Sequence, residues 1–117
     1  DNIFKTFGEI YFSTIYCNKI KGWHLHKESY LNYACVSGEV KLVLYDDRSS
    51  SSTRNQYEEI ILSPNKYVLV TIPPNLWNGF KGLGKGQSII ANCLTLPHSE
   101  KEMVRKSYDD KYFQYNW

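Results

Sequence analysis

Along most of the chain apolar and polar residues alternate in short runs, the pattern of half-buried strands rather than of amphipathic helices. Glu9 to Cys17 (E-I-Y-F-S-T-I-Y-C) is rich in β-branched and aromatic residues and holds neither Gly nor Pro. Leu31 to Ser37 is a second such run. Glu39 to Tyr45 alternates cleanly, with Val40, Leu42 and Leu44 on one face and Lys41 on the other. Gly38 separates these two runs, at a place where a turn or bulge needs positive φ. Tyr57 to Leu62, Tyr67 to Ile72 and Gln87 to Thr95 are further predicted strands, each bounded by turn formers. Pro73-Pro74-Asn75 stops one of them, because proline cannot donate to a ladder. Asp46-Asp47-Arg48 and the serines 49–52 form an exposed loop.

One helix is predicted. Ser99-Glu100-Lys101-Glu102 has capping-box spacing, and a short polar helix would run from there to about Lys106. The tail from Tyr108 to Trp117 is aromatic and irregular and reads as packed over the body. Six or seven short strands with a single late helix make an all-β fold, closed or sandwiched, over one domain spanning 1–117. The chain opens at Asp1 without an initiator Met, an apolar signal region or a cleavage pattern, which reads as trimmed termini.

Composition narrows the function. Aromatic residues make up 15% of the 117, led by ten tyrosines, while alanine is scarce. A net charge of +2 from scattered lysines gives no nucleic-acid footprint. No apolar run approaches the roughly 20 residues of a membrane-spanning helix. Cys17, Cys35 and Cys93 are odd in number, widely spaced and set in apolar stretches. Without a C-x-x-C they read as reduced thiols of a cytoplasmic protein.

The chemistry starts at Lys21-Gly22-Trp23-His24-Leu25-His26-Lys27. Residues two apart on a strand share a face, so His24 and His26 point the same way, into a lumen or into solvent. Two converging imidazoles make a metal half-site or an acid–base pair. Lys21 and Arg48 are candidates to clamp an anionic group, and Trp23, Trp77 and Tyr33 to stack on a flat ligand or to pack the core. Asn92, if inward, needs a polar partner. Gly79, Gly82, Gly84 and Gly86 resemble a phosphate loop, but no strand-to-helix step follows, so they read as a turn. His98 is assigned to the surface.

Together these motifs resemble the cupin jelly roll, and within it dTDP-4-dehydrorhamnose 3,5-epimerase and its shorter relatives. Lys21-Gly22-Trp23-His24 is similar to that family's R-G-L-H, Val36 to Val40 to its V-x-G-E-V, and Asp46-Asp47-Arg48 to its D-x-R. Ile72 to Phe80 is similar to I-P-P-G-x-x-H-G-F, and Tyr108 to Trp117 to its closing segment. The resemblance covers Lys21 to Trp117. It implies a jelly-roll barrel that removes a proton beside the 4-keto group of a nucleotide-linked 6-deoxyhexose, in cell-surface polysaccharide biosynthesis.

Mapped residue by residue, the base is His24, with His26 beside it. The family's second histidine falls at Asn78, its lysine at Leu31, and its tyrosine acid near Leu96, so the expected acid is missing. Cupin metal-ligand positions fall at Tyr30 or Leu31 and at Asn78, which implies a metal-free site and no cofactor. Substrate contacts are expected from Lys21, Tyr33, Arg48, Trp77, Asn78 and Asn92. His24-Leu25-His26-Lys27 also reproduces the H-x-H-K of sugar-nucleotide 3,4-ketoisomerases. A sugar-nucleotide- or glycan-binding cupin without catalysis is the third reading. The predicted edge strand Glu9 to Cys17 needs a cover, which implies a homodimer through that strand.

Overall fold

The computed structural model describes residues 8–66, 68–96, 99 and 101–117. These residues form nine strands: β1 (Glu9–Tyr16), β2 (Ile20–His26), β3 (Leu31–Ser37), β4 (Glu39–Tyr45), β5 (Tyr57–Leu62), β6 (Val70–Ile72), β7 (Trp77–Leu83), β8 (Gln87–Leu94) and β9 (Met103–Arg105). They pair in two antiparallel sheets, one in the order β1-β8-β3-β6 and the other β5-β4-β7-β2-β9. This is the jelly roll that the sequence led us to expect. Five predicted runs become strands almost to the residue. The sixth shortens to β6, and its predicted first residue, Tyr67, lies outside the described residues, as does His98.

Two features differ from expectation. The helix expected over 99–106 does not form; residues 101 and 102 turn and 103–105 extend as β9. Ser99 does not cap a helix but closes a turn, its carbonyl accepting the Glu102 amide at 3.1 Å. Met103 and Arg105 then face the space between the sheets while Val104 packs outward, a period of two that only a strand gives. The glycines 79–86 also divide differently. Gly79 and Gly82 lie inside β7, and only Gly84 and Gly86, at φ +75° and +114°, shape a turn. A Cβ at Gly82 would sit 2.2 Å from the Tyr16 carbonyl oxygen, so glycine is needed for the β1–β2 connection to cross β7.

The second sheet is buried on both faces. Between the sheets, Val40 and Leu42 of β4 meet Leu31 and Cys35 of β3 and Ile90 and Leu94 of β8. On the outer face the tail covers a second cluster, in which Phe113 stacks on Trp23 at 4.3 Å and meets Tyr45 and Trp77 edge-on. Lys41 and Lys81 both donate to the Trp117 carbonyl at 3.2 Å. The tail therefore packs over the body, as its composition suggested. Among the described residues no helix is long and apolar enough to cross a membrane, and Cys17, Cys35 and Cys93 are all unpaired.

Because Phe113 is the buried centre of the outer cluster, Phe113→Ala should cost about 3 kcal/mol in urea unfolding. The tryptophan emission should shift to the red in the native state, as the tail loosens from Trp23.

Candidate functional site

At one end of the space between the sheets lies a cavity of about 560 Å³, within the range that holds a small ligand. The second sheet contributes Lys21, His24 and His26 from β2, Phe80 from β7 and Met103 and Arg105 from β9. The first sheet contributes Glu9, Tyr11 and Ser13 from β1 and Tyr33 from β3. On β2 the strand's alternation sends Trp23 and Leu25 outward into the aromatic cluster and turns both imidazoles inward. A register irregularity between Lys21 and His24 also lets Lys21 and Gly22 reach the cavity wall.

The two histidines are held differently. His26 is buried, and its Nδ1 lies 2.7 Å from Glu102 Oε2. The other carboxylate oxygen accepts the Ser29 and Glu28 amides at 2.8 and 3.0 Å. Burial alone would raise the Glu102 carboxyl. The Ser29 and Glu28 amides and the His26 ring outweigh it and hold the group below the usual carboxylate range. Glu102 is thus an ionised acceptor, which takes a hydrogen bond from His26 Nδ1–H and fixes the orientation of that ring. His24 has no such partner. Burial, then the charges of Arg105, His26 and Lys21, push it down from 6.5 to about 4. At neutral pH it is an unprotonated imidazole beside two cations.

Behind the cavity wall, Asn78 is fully buried, accepting the Tyr33 hydroxyl at 3.1 Å and donating to the His24 carbonyl at 3.2 Å. Burial, then Tyr11, pushes the Tyr33 phenol well above the usual tyrosine range. Asn92 is equally buried and donates from Nδ2 to the Tyr11 hydroxyl at 3.2 Å. Both asparagines thus brace cavity tyrosines.

Of the residues singled out from sequence, Lys21, His24, His26 and Tyr33 meet in the cavity, and Asn78 and Asn92 stand immediately behind it. Arg48 and Trp77 do not join them. Arg48 forms a two-pronged bond to Asp46 at 2.9 Å, in a loop tied by Ser51 and Thr53. Trp77 donates to Asp47 at 2.9 Å from the outer cluster, in which Trp23 is also enclosed. Sequence reasoning missed Tyr11, Glu102 and Arg105. Glu9, Tyr11 and Ser13 alternate on one face of β1, a signal the sequence carries. Glu102 and Arg105 were hidden by the helix reading. Among the described residues no group of three or more His, Cys, Asp or Glu side chains is placed to hold a metal ion.

Comparison with known proteins agrees with this fold. The family model of dTDP-4-dehydrorhamnose 3,5-epimerase matches residues 3–117. The crystal structure of a dTDP sugar isomerase from Desulfovibrio desulfuricans G20 superposes with a TM-score of 0.94 at 35% identity, covering 97% of this chain and 73% of that one. A probable low-salt glycan biosynthesis epimerase, Agl13, of Haloferax volcanii is 28% identical over 92% of this chain and 70% of its own length. The spore coat polysaccharide biosynthesis protein SpsL of Bacillus subtilis is 25% identical over all of this chain and 79% of its own.

The depressed His24 sets a pH dependence whose sign is fixed. Between pH 6.5 and about 4 the unfolded chain binds a proton that the folded chain refuses, so stability falls as pH falls through that window. Above it, His24 is neutral in both states and contributes no slope. The urea-unfolding free energy of the wild type should therefore drop by about 3 kcal/mol more than that of His24→Gln between pH 7 and 4. An NMR titration should find the His24 ring titrating at about 4, well below 6.5.

Proposed function

Because the chain belongs to the dTDP-4-dehydrorhamnose 3,5-epimerase family, we propose that it inverts a carbon next to the 4-keto group of a nucleotide-linked 6-deoxyhexose, in cytoplasmic steps of cell-surface polysaccharide assembly. The observation that carries this reading is the meeting of two imidazoles, Lys21 and Arg105 in one inter-sheet cavity. A 4-keto group acidifies the protons at C3 and C5, so the reaction needs a base and a holder for the enolate charge. His24, unprotonated at neutral pH, is the base. A diphosphate docked on Arg105 and Lys21 would cancel two of the charges that depress it and so make it a stronger base in the bound state. His26, its ring fixed by Glu102, is the second group able to take or return a proton.

Both histidines in the same cavity also suit a 3,4-ketoisomerase, which moves the carbonyl between C3 and C4. The products separate the two readings. The wild-type protein incubated in deuterated water with dTDP-4-keto-6-deoxyglucose should take up deuterium at C3, C5 or both. His24→Ala should lose at least about a hundredfold of that rate. A 3-keto product, with equal loss in His24→Ala and His26→Ala, would favour the ketoisomerase. Saturable binding without exchange would leave a binding module, and exchange that survives removal of both histidines would refute a histidine base.

The proposed assembly is a homodimer through β1. That strand is the edge of the first sheet and leaves Ile10, Phe12 and Tyr16 exposed on its outer face. Light scattering at micromolar concentration should give twice the chain mass, and Phe12→Lys should shift it toward monomer.

A further inference from the structure

Inversion, unlike exchange, requires that the proton lost on one face of the sugar be replaced on the other. Both histidines and both cations of the cavity stand on the second sheet, so a group on the first sheet must face them. Three polar side chains of β1, Glu9, Tyr11 and Ser13, and Tyr33 of β3 fill that wall. The Tyr33 proton is already given to Asn78 Oδ1 at 3.1 Å, and the residue is buried. Tyr11 is arranged the other way. Its oxygen accepts the Asn92 Nδ2–H at 3.2 Å, and among the described residues its own proton has no acceptor. It is partly exposed at the cavity, where water can reach it. Leu96, near which the resembled family carries its tyrosine, does not line this cavity.

We propose that Tyr11 is the acid that returns the proton on the face opposite the histidines. This rests on the epimerase reading above. The base takes the proton from the carbon beside the ketone, and the C–H electron pair becomes the enolate double bond while the oxygen carries the charge. The double bond then takes the Tyr11 O–H proton from the other side, restoring the ketone with the carbon inverted. Tyr11 is left as a phenolate, with the Asn92 N–H aimed at the oxygen that has become negative. Water reprotonates it and removes the proton from the histidinium, so the cycle closes with no net change beyond inversion. Asn92 acts through Tyr11 and is a positioning residue.

The test compares two rates in deuterated water with dTDP-4-keto-6-deoxyglucose: deuterium uptake at the reacting carbon and net inversion at the same carbon. Removal and same-face return need only the histidine side. Tyr11→Phe should therefore keep uptake within a few-fold of wild type while inversion falls at least about a hundredfold. Inversion at the wild-type rate in Tyr11→Phe would overturn the assignment, as would separation of the two rates by Tyr33→Phe instead. Equal loss of uptake and inversion in Tyr11→Phe would mark a structural role and also overturn it. If the wild type takes up no deuterium, the epimerase reading itself falls and Tyr11 with it. If uptake persists and only the Tyr11 result fails, that reading stands.

Discussion

The site depends on one buried carboxylate. Glu102 binds the His26 ring with one oxygen and the amides of residues 28 and 29 with the other. The end of β2, the turn after it and the approach to β9 thus converge on a single charge. Removing that charge would leave three donors facing a buried void, which costs more than any one of the bonds contributes. The consequence for function is positional. β9 pairs with β2 from Glu102 onward, His26 opposite Met103 and His24 opposite Arg105. The same carboxylate that fixes one imidazole therefore sets the register that brings a guanidinium beside the other.

Aromatic packing is the second constraint. A sheet with an apolar stripe on each face must be covered twice, and the chain does so by laying its tail on the outer face. Trp23 and Leu25 are held outward by that cover, and strand alternation then leaves His24 and His26 no choice but the interior. Polar groups in such an interior need partners. Asn78 and Asn92 provide them for the two cavity tyrosines, so that both asparagines serve as braces.

The fold was legible in the sequence because most strands alternate strongly and are bounded by glycine or proline. Two elements were hidden for opposite reasons. β7 carries glycines where neighbouring backbone passes close, so its composition reads as a turn. β9 is preceded by capping-box residues whose glutamate is used at long range, and local spacing cannot reveal a partner 76 positions away. The inward pair His24 and His26 was legible from periodicity, as was Lys21 from its place beside them. Arg48 illustrates the limit. Its charge suited a diphosphate, yet Asp46 lies two residues before it and takes it whole.

At the centre of the site is an imidazole, His24, kept unprotonated by burial and by the cations that would receive a diphosphate. Calorimetric titration with dTDP-glucose in buffers of different ionisation enthalpy measures the protons taken up on binding, and the diphosphate diester of this ligand does not itself titrate near pH 5. If Lys21 and Arg105 receive the diphosphate beside His24, binding at about pH 5 should be accompanied by uptake of roughly half a proton or more, lost in His24→Gln. Tight binding with no proton uptake, or uptake unchanged in His24→Gln, would contradict it.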